Sequence, residues 1–232
     1  MQIFYTPDIE IKSELPEEEA GHCIRVLRLT EGDEILLTDG KGFFYKAAII
    51  RAHHKHCEVE ILESWKQPDL WNFKLHIAVA PTKNMDRMEW FVEKATEIGI
   101  DSITCLNCRF SERKEIKPAR LEKILVSAMK QSQKAILPTL TGMTDFKTFV
   151  NQPFYGRKFI AHCEDGDKQL LKQIYKPGEN ALILIGPEGD FSPEEIALAL
   201  QNGFEPISLG ESRLRTETAA LVACHTIHVL NQ

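Results

Sequence analysis

The sequence predicts an α/β protein with a mostly parallel sheet, preceded by a small β-rich domain. Three observations carry this. From residue 74 onward, apolar strand-like runs alternate with amphipathic helix-like runs. The first seventy residues hold only short β-rich segments between turn residues. The stretch "ALILIGPEGDFSPEE" (181–195) runs from a continuous apolar strand through a glycine turn into a helix start. Alternating strands and helices build parallel sheets with crossover helices, whereas closely spaced β runs build hairpins. The boundary falls in "SWKQPDLWNF" (64–73), which reads as a linker, so the domains are expected at 1–70 and 74–232.

In the first domain, "EEEAGHCIRVLRL" (17–29) predicts a short helix carrying Arg25 and Arg28. Strands are expected at 33–40, 43–52 and 57–62, separated by Gly40-Lys41-Gly42 and by "HHKH" at 53–56, as in a small barrel or sandwich. His53, His54 and His56 raise the question of a metal. Neighbouring strand residues face opposite ways and no carboxylate cluster matches them, so no metal is expected.

In the second domain, "KLHIAVA" (74–80) is a strand, and Met85, Met88, Phe91, Val92, Ala95 and Ile98 follow at helical spacing, closed by Gly99. A strand at 100–106 and a helix at 118–134 come next. Then follow a strand at 158–163, a helix after Asp167, the strand 181–185, a helix at 193–202, a strand at 206–209 and a last helix from Thr216. Cys105 and Cys108 form a lone C-x-x-C and read as strand-end residues.

Composition narrows the classes. With 43% hydrophobic and 27% charged residues, the chain of 232 reads as globular. No apolar run approaches the ~20 residues of a membrane span, and the first residues lack a secretory pattern. Six scattered cysteines suit reduced thiols, hence a cytoplasmic protein without a membrane partner. The net charge of −6 is concentrated before Asn72, whereas "RFSERKEIKPARLEK" (109–123) is rich in basic side chains. That basic face is a solvated surface or a contact for phosphates.

Two strand-to-helix turns are candidate ligand loops, because open α/β sheets bind ligands at the carboxyl ends of their strands. In the first, Gly186 and Gly189 permit a sharp turn, and Ser192, Pro193 and Glu195 form a capping box. Glu188 and Asp190 would repel a polyphosphate, so the loop suits a ribose hydroxyl, an amino group or a cation. The second turn, "LGESRLRTETAAL" (209–221), places Arg213 and Arg215 around Leu214, with Thr216 as a possible helix cap.

"IGPEG" (185–189) followed by "LG" and "RLRTETAAL" resembles the RsmE family within the SPOUT methyltransferases, which methylate N3 of a uridine in 16S ribosomal RNA. The resemblance covers essentially the whole chain. "GHCIRVLRLTEGDEILLTDGKGFFYKAAI" is similar to the family's PUA-like RNA-binding domain, and "KNMDRMEWFVEKATEIGID" and "SAMKQSQKAILP" are similar to its catalytic-domain helices. Asp190 stands where the family usually has a second glycine. Glu211, Ser212 and Arg213 replace its proline, arginine and isoleucine, and the helix motif E-Q-S-x-R reads Lys130-Gln131-Ser132-Gln133-Lys134.

The resemblance implies a trefoil-knotted α/β domain, S-adenosylmethionine as methyl donor, a homodimer joined through the knots, and 16S rRNA of the 30S subunit as partner. It implies a donor site of Ala161, His162, Ile185, Gly186, Pro187, Glu188, Gly189, Leu209, Gly210, Leu214, Arg215, Thr216, Thr218 and Ala219. Chemistry at uracil N3 requires loss of a proton and stabilisation of negative charge. Arg215 is the expected cation and Glu217 the expected base or an orienting group. Arg25, Arg28 and Lys41 in the first domain and Arg109, Arg113 and Lys114 in the second are expected to meet RNA. Two alternatives remain: a SPOUT enzyme acting at another RNA site, and a knot-fold RNA-binding assembly protein without turnover.

Overall fold

The computed structural model describes residues 2–232. The chain forms two compact units: the described residues up to Leu70 together with Val126–Leu137, and Trp71–Leu125 together with Pro138–Gln232.

The first unit is built on a four-stranded sheet, β1 (Ile3–Tyr5), β2 (Glu34–Thr38), β3 (Phe43–Arg51) and β4 (Glu58–Lys66), in that order. β1 runs parallel to β2 and the other pairs are antiparallel. The core of the unit joins Phe4, Leu37, Ala47, Ile49 and Val59 of the sheet to Ala20 and Cys23. Two expectations need correction here. The helix predicted over 17–29 is a short α1 (Glu17–Gly21) that widens into a π turn, His22–Val26. Arg28 then takes φ +59°, a left-handed conformation that cannot continue a helix. The linker also starts later than expected, because β4 continues to Lys66, with Trp65 opposite Phe44 and Lys66 opposite Phe43. Pro68, which lacks the amide donor a ladder needs, lies just beyond the strand.

The second unit holds a seven-stranded, all-parallel sheet. Its strands in chain order are β5 (Leu75–Val79), β6 (Ser102–Asn107), β7 (Thr139–Asp145), β8 (Arg157–Ala161), β9 (Gln169–Leu170), β10 (Ala181–Ile185) and β11 (Glu205–Ser208). In space the order is β7-β6-β5-β10-β8-β11-β9. The apolar run 181–185 lies at the centre and every residue of it is buried. On one face, Leu182 and Leu184 meet α4 (Phe146–Val150) and α6 (Pro193–Gln201) through Phe146, Phe149 and Ile196. On the other, α7 (Thr216–Leu230) packs on β5 and β10 and against α2 (Met85–Ile98). The helix predicted over 118–134 is α3 (Pro118–Gln131), and the one after Asp167 is a single turn, α5 (Leu171–Ile174). β1, β7 and α4 had no clear sequence signal: "TLTGMTD" is threonine- and glycine-rich and lies at a sheet edge.

One connection sets this fold apart. Ala161 at the end of β8 pairs with Ile207, and Gln169 at the start of β9 pairs with Ile207 from the other side. The loop 162–168 therefore straddles the end of β11, and the chain continuing from Ser208 leaves from between its two stems. This is the threading of an α/β knot, which general topology rules would discard. Among the described residues, no helix is long and apolar enough to cross a membrane.

Candidate functional site

Three loops leave the carboxyl ends of β8, β10 and β11 side by side, because those strands are neighbours in the sheet. Between them lie two adjoining cavities of about 440 and 410 Å³. Ala161, Cys163, Arg213, Leu214 and Ala219 line both. Ile185, Gly186, Pro187, Glu188, Arg215 and Thr216 line the first, with Arg87 and Asp190; His162, Leu209 and Gly210 belong to the second. Gly189, Glu217 and Thr218 do not line either.

Each loop is held by specific bonds. The Thr216 hydroxyl donates to the Gly186 carbonyl at 3.1 Å, tying the last helix to the glycine turn. The expected cap role of Thr216 is thus corrected: Arg215 occupies the cap position, without a side-chain cap bond, and Thr216 is the first helical residue. Gly186 is closely packed: a Cβ there would stand 3.1 Å from the Phe191 ring, which would have to shift. Gly189 likewise lets Phe110 approach, with 3.0 Å between the Phe110 Cβ and a Cβ built on the glycine. Asp190 takes φ +65°, a backbone state that aspartate tolerates better than most residues. Its Oδ2 accepts the Cys163 amide at 2.6 Å, joining the β10 loop to the β8 loop. Asp190 thus holds a left-handed backbone and adds a tether.

Charges are distributed unevenly around the cavities. Glu188 accepts the Lys83 amide at 2.9 Å, so one of its oxygens serves the β5–α2 connection. Glu217 is only 8% exposed, and its Oε2 has no hydrogen-bond partner. Its Oε1 lies 3.9 Å from Nε of Arg87, which lines the first cavity. Arg87 was missed in the sequence, where it looks like an ordinary polar position in the first turn of α2. Nδ1 of His162 is also buried without a partner, and burial, then Lys168, push this histidine below its ordinary pKa. Buried polar atoms lacking partners are uncommon, and of these two His162 belongs to a cavity wall.

The basic residues expected to meet RNA are distributed over both units. Arg25 and Arg28 are exposed around the π turn, and Nζ of Lys41 donates to the Pro7 carbonyl at 2.8 Å. Arg109 is exposed in the second unit, and its amide donates to Glu195 at 2.8 Å. The Arg113 guanidinium donates to the carbonyls of Thr82 and Lys83 at 3.2 and 2.6 Å, so it clamps the loop around it. Lys114 reaches Asn107 and the Cys108 carbonyl at 3.3 and 3.4 Å. Cys105 lies within β6 and Cys108 just after it; both are buried, and burial raises both thiols, Cys105 to about 12. Among the described residues, no group of three or more His, Cys, Asp and Glu could hold a metal.

A parallel sheet with a threaded last strand, and a nucleoside-sized cavity at the straddled end, define a protein of the α/β-knot class. The chain belongs to the RNA methyltransferase family: the family's RNA methyltransferase domain matches residues 69–228, and its RNA methyltransferase PUA domain matches 15–62. It is similar to the crystal structure of a probable rRNA-methyltransferase from Porphyromonas gingivalis, at 46% identity and TM-score 0.94, covering 100% of this chain and 98% of that one. It is similar to a ribosomal RNA small subunit methyltransferase E from Neisseria gonorrhoeae bound to S-adenosyl methionine, at 26% identity and TM-score 0.86, covering 99% and 98%. The protein of that name from Synechocystis is 28% identical over 232 residues, 96% of this chain and 74% of its own.

Proposed function

We propose that this protein transfers a methyl group from S-adenosylmethionine to N3 of a uridine in the 16S RNA of the small ribosomal subunit, acting in the cytoplasm as a homodimer. The observation that carries the reading is the two-lobed cavity at the ends of β8, β10 and β11. Its volume suits a nucleoside with a short side chain. Glu188, Asp190 and Glu211 line it together with Arg87, Lys168, Arg213 and Arg215, a mixed setting in which a sulfonium can lie beside a carboxylate. The unpartnered Nδ1 of His162 offers a polar contact in the second lobe, and Gly186 allows close backbone approach.

When bound, the donor supplies an electrophilic methyl group, and no metal is needed. The remaining tasks fall to side chains. The target base must be unpaired, because N3 lies on its pairing edge. Arg215, exposed at the rim of the first lobe, is assigned to the negative charge that builds on the uracil ring. Glu217 is assigned to the N3 proton, and Arg87 to positioning its carboxylate. Arg25, Arg28 and Lys41 on the PUA-like domain, and Arg109 and Lys114 on the catalytic domain, are assigned to RNA phosphates.

The test is labelled-methyl transfer from S-adenosylmethionine to 30S subunits lacking the modification, followed by digestion to nucleosides. The expected product is 3-methyluridine. A different methylated nucleoside moves the enzyme to another RNA site, and donor binding without transfer leaves another RNA substrate or a binding role. Sedimentation at micromolar concentration is expected to show a dimer.

A further inference from the structure

A cleft of about 910 Å³ opens beside the cavity already described, between the end of β6 and the first turns of α4 and α6. Phe110 stands in its wall, 49% exposed, on a short loop that is firmly built. The Ser111 amide donates to the Cys108 carbonyl, the Ser111 hydroxyl accepts the Cys108 amide at 3.0 Å, and Arg113 clamps the chain beyond. Phe110 is thus a half-exposed ring on a fixed turn at the wall of a cleft, a placement that leaves its face open to stacking. Its neighbour is informative: Phe110 packs on Gly189, within the glycine turn that borders the first cavity.

The cleft carries acids and bases in equal number, Asp145, Glu194 and Glu195 against Arg109, Lys114 and Lys147, and they differ in how they are engaged. Asp145 is engaged by the Thr148 amide, and the two oxygens of Glu195 accept from the amides of Arg109 and Ser192. Asp145 and Glu194 are exposed, and Glu195 is half-buried. The Arg109 guanidinium and the Lys147 ammonium line the same cleft, are exposed, and make no hydrogen bond or ion pair with a described residue. The N-terminus of α6 adds its positive end.

We propose that this cleft binds a single-stranded RNA nucleotide flanking the target uridine, its base stacked on Phe110 and its phosphates facing Arg109 and Lys147. The proposal rests on the RNA substrate assigned above. An aromatic platform beside loose cations is how sequence-tolerant single-strand sites are made, and the adjacent glycine turn places that strand next to the reacting base. Fixing the neighbour would hold the target out of its stack.

The experiment measures binding of a fluorescently labelled oligouridine by anisotropy, donor binding by calorimetry, and methyl transfer to 30S subunits. Phe110→Leu is expected to weaken RNA binding roughly tenfold and to leave donor affinity unchanged. Phe110→Trp retains RNA binding, and Lys147→Glu weakens it and lessens its salt dependence. Unchanged RNA binding in Phe110→Leu, equal loss in Phe110→Trp, or absence of RNA binding by the unaltered protein overturns the cleft. Phe110-dependent RNA binding without any methyl transfer would instead sink the proposed activity and leave the cleft standing.

Discussion

Glu217 is the residue whose environment is hardest to explain without a substrate. It sits in the first turn of α7, where a carboxylate favours the helix terminus, yet it is buried with one oxygen unpartnered. Glu217→Gln keeps the shape and removes the proton acceptor. Its turnover is expected to fall about 100-fold or more, the range for loss of a general base, with donor affinity unchanged. Equal turnover in the variant would restrict Glu217 to holding Arg87. Asp190 makes a second residue-scale case. Asp190→Ala loses the tether to the Cys163 amide and puts alanine at φ +65°, at a cost of about 1–2 kcal/mol. Asp190→Asn tolerates that backbone and still offers an oxygen, so its melting temperature and donor affinity should fall between the two. If alanine and asparagine behave alike, the tether carries no weight.

At the scale of elements, α6 is the clearest link between sequence and site. Ser192, Pro193 and Glu195 predict its start, and both reciprocal bonds are present, at 3.3 Å from the Glu195 amide and 2.9 Å from the Ser192 amide. The sequence did not show that Glu195 also accepts the Arg109 amide, joining α6 to the loop that carries Phe110. Ser192→Ala is therefore expected to cost about 1 kcal/mol, as for other lost caps. Glu195→Ala releases two backbone donors and should cost about 2 kcal/mol. Denaturant midpoints of the two variants check this order; equal values would mean the Arg109 bond contributes nothing. Elements without apolar periodicity were harder to read. β7 is mostly threonine and glycine at an edge, and β9 exists only because two residues meet the end of β11.

At the scale of the whole molecule, the parallel sheet carries a pH-dependent weakness. His76 in β5 bonds the Thr104 hydroxyl of β6 at 2.8 Å and lies edge-on to Phe149, and burial lowers its pKa from 6.5 to about 4. Below about pH 6.5 the unfolded chain takes up a proton that the folded chain refuses until about pH 4. This contribution is complete above pH 6.5 and is lost as pH falls towards 4, by up to about 3 kcal/mol. Replacing His76 by Gln keeps a hydrogen-bonding group without the titration. The variant's urea midpoint should therefore change less between pH 7 and pH 5 than that of the parent. Parallel loss in both would assign the acid sensitivity to other groups.

Local sequence signals, namely periodicity, caps and glycine turns, set the fold class, the central strand 181–185, the helices α2, α6 and α7, and two of the three loops that form the cavities. Its resemblance to a methyltransferase family also supplied the donor and the knot. Tertiary structure alone decided that Thr216 bonds Gly186, that Glu188 turns to Lys83, that Arg87 stands beside Glu217, and that Phe110 rests on Gly189. Those pairs are 30 to 130 residues apart in the chain, and no local pattern encodes a contact made only when strands become neighbours. The straddled end of β11 belongs to the same class: a chain passing between two stems is a property of the closed sheet, which no stretch of residues carries on its own.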